Sequence, residues 1–122
     1  MPKLLIVDDE VDICEFAKRF FVKRGINVII ANGGTKALEL IESEKPDLVL
    51  LDVNMEDMTG VELLRILRGE KRNDVKVIMV TGAIDEYVIN EANSWGIKGY
   101  VHKSLVLDEL EKIVMAELNS SE

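Results

Sequence analysis

The chain has 122 residues, 48% hydrophobic and 31% charged, which fits one globular domain with a core of its own. A net charge of −8 argues against direct binding of nucleic acid, because phosphate contacts need a basic patch. No apolar stretch approaches the roughly 20 residues of a membrane span, the start lacks a signal-peptide layout, and one cysteine excludes an intrachain disulfide, so a cytoplasmic protein with protein partners is expected.

Leu4-Leu5-Ile6-Val7 is a short, continuous apolar run, as a parallel strand buried on both faces requires, and it ends on Asp8-Asp9. Ile13, Phe16, Ala17, Phe20 and Phe21 recur at helical spacing, and Gly25 is a natural stop. Ile26 to Ala31 predicts a second strand. Asn32-Gly33-Gly34 is a turn, and Thr35 is placed to cap a helix carrying Ala37, Leu38 and Ile41. Pro46-Asp47 breaks that helix and leads into Leu48-Val49-Leu50-Leu51, which ends on Asp52.

Gly60 to Gly69 carries Val61, Leu63, Leu64 and Leu67 on a helical face. A polar loop from Glu70 to Asp74 precedes the fourth strand, Val77-Ile78-Met79-Val80, which ends on Thr81. Asp85 to Trp95 predicts a shorter helix stopped by Gly96, and Lys98 to His102 a fifth strand followed by Lys103. Leu107, Leu110, Glu111, Ile113 and Val114 outline a last amphipathic helix, with residues 119–122 fraying.

Strands and helices alternating five times imply right-handed crossovers and an α/β, doubly wound parallel sheet. The flavodoxin-like order 2-1-3-4-5 places the first and third strands together at the switch point, where open α/β sheets bind ligands. Residues 1–122 form one domain in this reading. Its strand ends bring Asp8, Asp9, Asp52, Thr81 and Lys103 into one crevice, a composition suited to a divalent cation and a phosphoryl group.

Plainer readings exist for each residue. Asp8-Asp9 is also a good helix cap, Thr81 is an ordinary β-branched strand residue, and Lys103 is an ordinary solvated charge. Tyr100 can simply pack against the last helix. A carboxylate that directly ends an apolar run, as Asp52 does, is costly to bury without a partner. His102 reads as a partly exposed strand residue, Cys14 as structural, Trp95 as packing at a helix end, and the scattered methionines as core filling.

Val7-Asp8-Asp9-Glu10, Leu51-Asp52-Val53-Asn54-Met55 with Gly60, Val80-Thr81-Gly82 and Gly99-Tyr100-Val101-His102-Lys103 occur in this order, each at a strand end. Together they resemble the receiver domain of two-component response regulators, and the resemblance covers nearly the whole chain. It implies a signalling switch of a phosphorelay. Asp52 would accept a phosphoryl group from a phosphohistidine on a sensor histidine kinase or phosphotransfer protein. Asp9, Asp52 and the Asn54 carbonyl would ligate Mg²⁺, with Asp8 acting through a water and Mn²⁺ able to substitute. Thr81 and Lys103 would each hold a phosphoryl oxygen, and Tyr100 would reorient on phosphorylation. The output would be a changed surface on the fourth helix, fifth strand and fifth helix, read by a downstream protein, a fused effector domain or a second copy of the chain.

The chemistry agrees. Mg²⁺ prefers oxygen ligands and is usually held by one or two carboxylates plus phosphate oxygens. Phosphoryl transfer depends mostly on positioning and charge neutralisation, and a carboxylate nucleophile needs no base at neutral pH. Two positions depart from the family: Glu56 and Ser104 stand where proline is usual. The loop 54–59 thereby loses a rigid φ. The Lys103–Ser104 peptide is expected to be trans, since a cis bond before a non-proline residue costs about 2.5–4 kcal/mol. Asn54 and Ala83 lie where relatives tune access of the attacking water.

The competing reading is a phosphatase forming an aspartyl-phosphate, of haloacid-dehalogenase type. Such enzymes need a second Asp two residues after the nucleophile, and here Asn54 cannot transfer the proton. A nucleotide-binding module lacks its Gly-rich loop. The chain is therefore expected to be no enzyme beyond its own phosphorylation and dephosphorylation.

Overall fold

The order of the sheet is β2-β1-β3-β4-β5, all parallel, formed by β1 (Lys3–Val7), β2 (Asn27–Ala31), β3 (Leu48–Asp52), β4 (Lys76–Thr81) and β5 (Gly99–His102). Between and after them lie α1 (Val11–Val22), α2 (Gly34–Glu44), α3 (Gly60–Arg65), α4 (Glu86–Trp95) and α5 (Leu107–Leu118). The expected doubly wound architecture is what the chain adopts. The computed structural model describes residues 2–82, 85–103 and 107–119. Ala83 and the Lys103–Ser104 peptide, for which the sequence carried expectations, lie outside the described residues.

The continuous apolar strands divide their side chains between two layers. Leu5, Val7, Val49, Leu51, Val77 and Met79 meet α2, α3 and α4 through Ala37, Ile41, Leu63, Leu64 and Ala92. Leu4, Ile6, Leu48, Leu50 and Ile78 meet α1 and α5 through Cys14, Ala17, Phe21 and Val114. Period-two alternation with burial on both faces explains why no polar residue interrupts these strands. Each fully buried Leu, Ile or Phe contributes about 1.5–3 kcal/mol. Among the described residues, no helix is long and apolar enough to cross a membrane.

Three local expectations change. In α1 the core stripe is Cys14, Ala17 and Phe21, whereas Ile13 and Phe16 are about half exposed. Periodicity gives the apolar arc but not how much of it a neighbour covers. Ile13 and Phe16 instead rim a cleft of about 260 Å³ with Val101, Leu107 and Leu110. The segment expected to be one helix over residues 60–69 is α-helical only to Arg65, then π-helical over Ile66–Glu70, with the Lys71 N–H donating to the Ile66 carbonyl at 2.9 Å. There the Arg68 guanidinium donates to the carbonyls of Asn73, Trp95 and Gly96 at 2.7–3.1 Å, tying this turn to the end of α4.

Thr35 is not the cap of α2. The helix begins at Gly34 with no side-chain cap from Gly33. Its first N–H donors are taken by Asp57 from the β3–α3 loop, Gly34 N–H to Oδ1 at 2.9 Å and Thr35 N–H to Oδ2 at 3.0 Å. Two other helix starts are capped locally: Thr59 and Glu62 form a capping box on α3, and Asp85 accepts from Tyr87 and Val88 on α4.

Candidate functional site

β1 and β3 are adjacent and in register, Val7 opposite Leu51, so Asp8, Asp9 and Asp52 leave the sheet at one edge. β4 and β5 continue that edge, with Asp52 opposite Val80 and Thr81 opposite His102. Among the described residues the buried polar and charged side chains are Asp8 (6% exposed), Asp52 (2%) and Thr81 (5%). Burying such groups costs free energy unless something pairs with them. All three collect at one sheet edge, which makes that edge the candidate site.

One carboxylate oxygen each from Asp8, Asp9 and Asp52 lies within 4.8 Å of the others. Carboxylates this close repel, and Asp52 is in addition the most buried of the three. Burial first, then the charge of Asp8, raises its pKa above the usual carboxylate value, against the opposing pull of Lys103. The Lys103 ammonium lies 3.2 Å from Asp52 Oδ2, 3.5 Å from Glu10 Oε1 and 3.8 Å from Asp8 Oδ2. One ammonium shared among these carboxylates leaves a surplus of negative charge on oxygen ligands. A hard divalent cation fits that donor set.

Local hydrogen bonds hold the acids. Asp8 Oδ1 accepts from the Glu10 N–H at 3.0 Å, so this aspartate also shapes the entry to α1. Asp52 Oδ1 accepts from the Asn54 N–H at 3.3 Å. Asp9 Oδ2 accepts from the Glu56 N–H at 3.1 Å, a donor that proline would lack. The Lys103 N–H donates to the Thr81 carbonyl at 2.8 Å, which fixes where the lysine leaves β5.

A Cβ on Gly60 would lie 2.5 Å from the Asp52 carbonyl oxygen, so the start of α3 approaches the strand end as only glycine allows. The Gly60 N–H donates to the Val53 carbonyl at 2.7 Å, closing the loop behind Asp52.

Tyr100 is 47% exposed on β5 and stands at a cavity of about 150 Å³. Thr81, Asn54, Val88 and Ala92 share its lining. The cavity thus lies between the edge that holds Asp52 and the face formed by α4 and β5. Cys14 is buried with its thiol donating to the Asp8 carbonyl at 3.2 Å, and burial, then the Asp8 charge, pushes its pKa up to about 12. A buried thiol held protonated in this way is a poor nucleophile. His102 is exposed on β5, as its sequence position suggests.

The structure therefore brings Asp8, Asp9, Asp52, Thr81 and Lys103 together and places Asn54 at their rim. Two residues escaped the sequence reading, Glu56 through its main-chain N–H and Asp57 through its carboxylate. A hint was present: Gly33-Gly34 leaves the start of α2 without a local cap, so a distant acceptor was needed.

The model of the response regulator receiver domain matches residues 4–115. Sporulation initiation phosphotransferase F of Bacillus subtilis is 33% identical over 112 residues, covering 92% of this chain and 90% of that protein. Chemotaxis protein CheY of Pseudomonas aeruginosa is 36% identical over 117 residues, covering 91% and 94%. Other relatives are longer: the chain spans only 25% of regulatory protein AtoC of Escherichia coli, at 34% identity over 95% of this chain. Among solved structures, the receiver domain of a Francisella response regulator superposes with a TM-score of 0.91 at 30% identity, covering all of both chains. Response regulator TrrA of Thermotoga maritima, solved with Mg²⁺ and BeF, gives a TM-score of 0.83 at 34% identity, covering 97% of this chain and 100% of that one.

Proposed function

The chain belongs to the response regulator receiver family of two-component signalling, and from that premise we propose that residues 1–122 act as a phosphorylation-driven switch with Asp52 as phosphoacceptor. The observation that carries this reading is the placement of one buried carboxylate, Asp52, between an acidic cluster and the Lys103 ammonium. Asp9, Asp52 and the Asn54 carbonyl would hold Mg²⁺, with Asp8 acting through a water, and the bound ion would neutralise charge on the transferred phosphoryl group.

In the transfer, an Asp52 carboxylate oxygen forms a bond to phosphorus as the bond from phosphorus to a histidine nitrogen of the sensor kinase breaks. The imidazole leaves with that electron pair. Lys103, now on Asp52 Oδ2, shifts its ammonium to a phosphoryl oxygen as a compact point charge. Thr81 donates its hydroxyl proton to another. No base is required, because the nucleophile is a carboxylate.

The added charge of about −1.5 to −2 and its acceptor oxygens draw Thr81 towards Asp52. Tyr100 then turns from solvent into the cavity that it shares with Thr81. Tyr87, 78% exposed on α4, and Tyr100 lie on the α4–β5–α5 surface that changes shape. A downstream protein, a fused effector domain or a second copy reads the difference, in the cytoplasm, where the kinase delivers its phosphoryl group.

Calorimetric titration with Mg²⁺ and beryllofluoride, a phosphoryl mimic, tests the site. Each ligand should tighten the other, and both Asp9 and Asp52 should be required. Undiminished Mg²⁺ binding by Asp9→Ala would overturn the ligand assignment. Steady hydrolysis of a small phosphomonoester would favour the phosphatase reading, which Asn54 opposes.

A further inference from the structure

The β3–α3 loop is held at two points that the proposed transfer does not use. The Glu56 N–H donates to Asp9 Oδ2 at 3.1 Å on one side. The Asp57 carboxylate bridges the first two N–H donors of α2 on the other, at 2.9 and 3.0 Å. Between the strand end and these anchors lies Asn54, whose carbonyl faces the metal in the reading above. The landing for the loop is written in glycine: a Cβ on Gly34 would overlap Met58 Cγ and Sδ, and one on Gly33 would crowd Asp57 at 3.2 Å. The loop is therefore pressed against the N-terminus of α2, and Asp57 is the side chain that fastens it there.

We infer that Asp57 is a positioning residue of the metal site. By clamping α2 it fixes the loop, and the loop fixes the Glu56 N–H that orients Asp9 and the Asn54 carbonyl. Hydrogen-bond partners of ligands orient them and tune affinity. A loop ordered in advance also spares the incoming cation the cost of ordering it. Glu56 has no proline ring to stiffen the loop here, so two hydrogen-bonded anchors do that work. The inference rests on the proposed Mg²⁺ site.

The alternative is that Asp57 only caps α2. The two differ in one measurable respect. A cap that acts on α2 alone lowers stability equally with and without the cation, so Mg²⁺ affinity does not move. A positioning residue is coupled to the cation, and the coupling is reciprocal. Mg²⁺ should then slow hydrogen exchange of the Gly34 and Thr35 amides in the native chain.

Calorimetry with Mg²⁺ alone should show about tenfold weaker binding by Asp57→Ala, the lower end of what loss of a ligand's supporting partner costs. Gly34→Ala should weaken it similarly, since it displaces Met58 while leaving Asp57 intact. Asp9→Ala is the control: if it too binds normally, the metal-site reading fails, not the clamp. If Asp9→Ala loses binding while Asp57→Ala and Gly34→Ala stay within twofold of the native affinity, the clamp is wrong. Should Asp57→Ala not fold, exchange in the native chain decides, and Gly34 and Thr35 amides indifferent to Mg²⁺ would overturn the inference.

Discussion

Lys103 Nζ lies 3.2 Å from Asp52 Oδ2, so the end of β5 and the end of β3 are joined by one ion pair at the centre of the site. Burial by itself would lower the lysine's pKa, but the hydrogen bond to Asp52 and the charges of Asp52, Asp8 and Glu10 outweigh it, and the net shift is upward. The ammonium is thus held among carboxylates in the folded chain.

Lys103→Ala should therefore destabilise the domain. Breaking a fully buried pair costs about 3–5 kcal/mol. The Lys103 side chain is 29% exposed, so a loss of roughly 1–2 kcal/mol at neutral pH is expected. Mg²⁺ should recover more stability in this variant than in the native chain, because it supplies the missing positive charge. Urea unfolding with and without Mg²⁺ checks both statements, and equal stability without the cation would show that the contact is incidental.

Asp57 predicts an acid-sensitive margin. The N–H groups of Thr35 and Gly34 hold its carboxyl below the ordinary value of 3.8. A pKa lower in the folded than in the unfolded chain gives stability that is present above the unfolded value and lost as the pH falls through the folded one. In metal-free buffer, the native chain should exceed Asp57→Asn by a steady margin from about pH 5 to 8. That margin should close below about pH 4. A pH series of urea midpoints measures it, and a gap that persists in acid would contradict the ionic cap.

Gly60 should tolerate no side chain. The Cβ of Gly60→Ala would meet the Asp52 carbonyl oxygen at 2.5 Å and Val53 Cα at 3.2 Å, and backbone cannot swing aside as a flexible side chain can. Overpacking of this kind costs about 1–3 kcal/mol. The expected outcome is a lower urea midpoint together with weaker Mg²⁺ binding, since the shift is at Asp52 itself.

Thr81→Ala separates acceptance from response. The variant should still take beryllofluoride at Asp52 with Mg²⁺, while NMR shifts at Tyr100 and along α4 largely disappear. In the native complex those shifts should extend from the Asp52 pocket through residues 85–103. Shifts confined to the pocket in the native chain would refute the route through Thr81 and Tyr100.

What the sequence made legible follows from where the chemistry is coded. Asp8, Asp9, Asp52, Thr81 and Lys103 are side chains placed directly after apolar runs, so strand order alone assembles them. The Glu56 contact to Asp9 uses a main-chain N–H, which any residue except proline supplies, so the sequence shows that a donor is available there but not what accepts from it. Asp57 caps a helix 22 and 23 residues upstream, beyond the reach of a local capping pattern. The outward position of Ile13 and Phe16 depends on how far α5 covers α1, which spacing within α1 does not encode. Trp95 packs beside Gly69 and offers its carbonyl to Arg68, at the end of α4 away from Asp85. Calorimetry is accordingly a better monitor of the proposed Mg²⁺ site than Trp95 fluorescence.

The most direct test of the account is intact-mass measurement after incubation with Mg²⁺ and a small phosphoramidate, whose phosphorus–nitrogen bond matches that of phosphohistidine. The native chain should gain a single phosphoryl group, lost on treatment with hydroxylamine as an acyl phosphate is, and Asp52→Asn should gain none. Equal labelling of Asp52→Asn, or a native chain that stays unlabelled while folded and bound to Mg²⁺, would contradict the assignment of Asp52 as the phosphoacceptor.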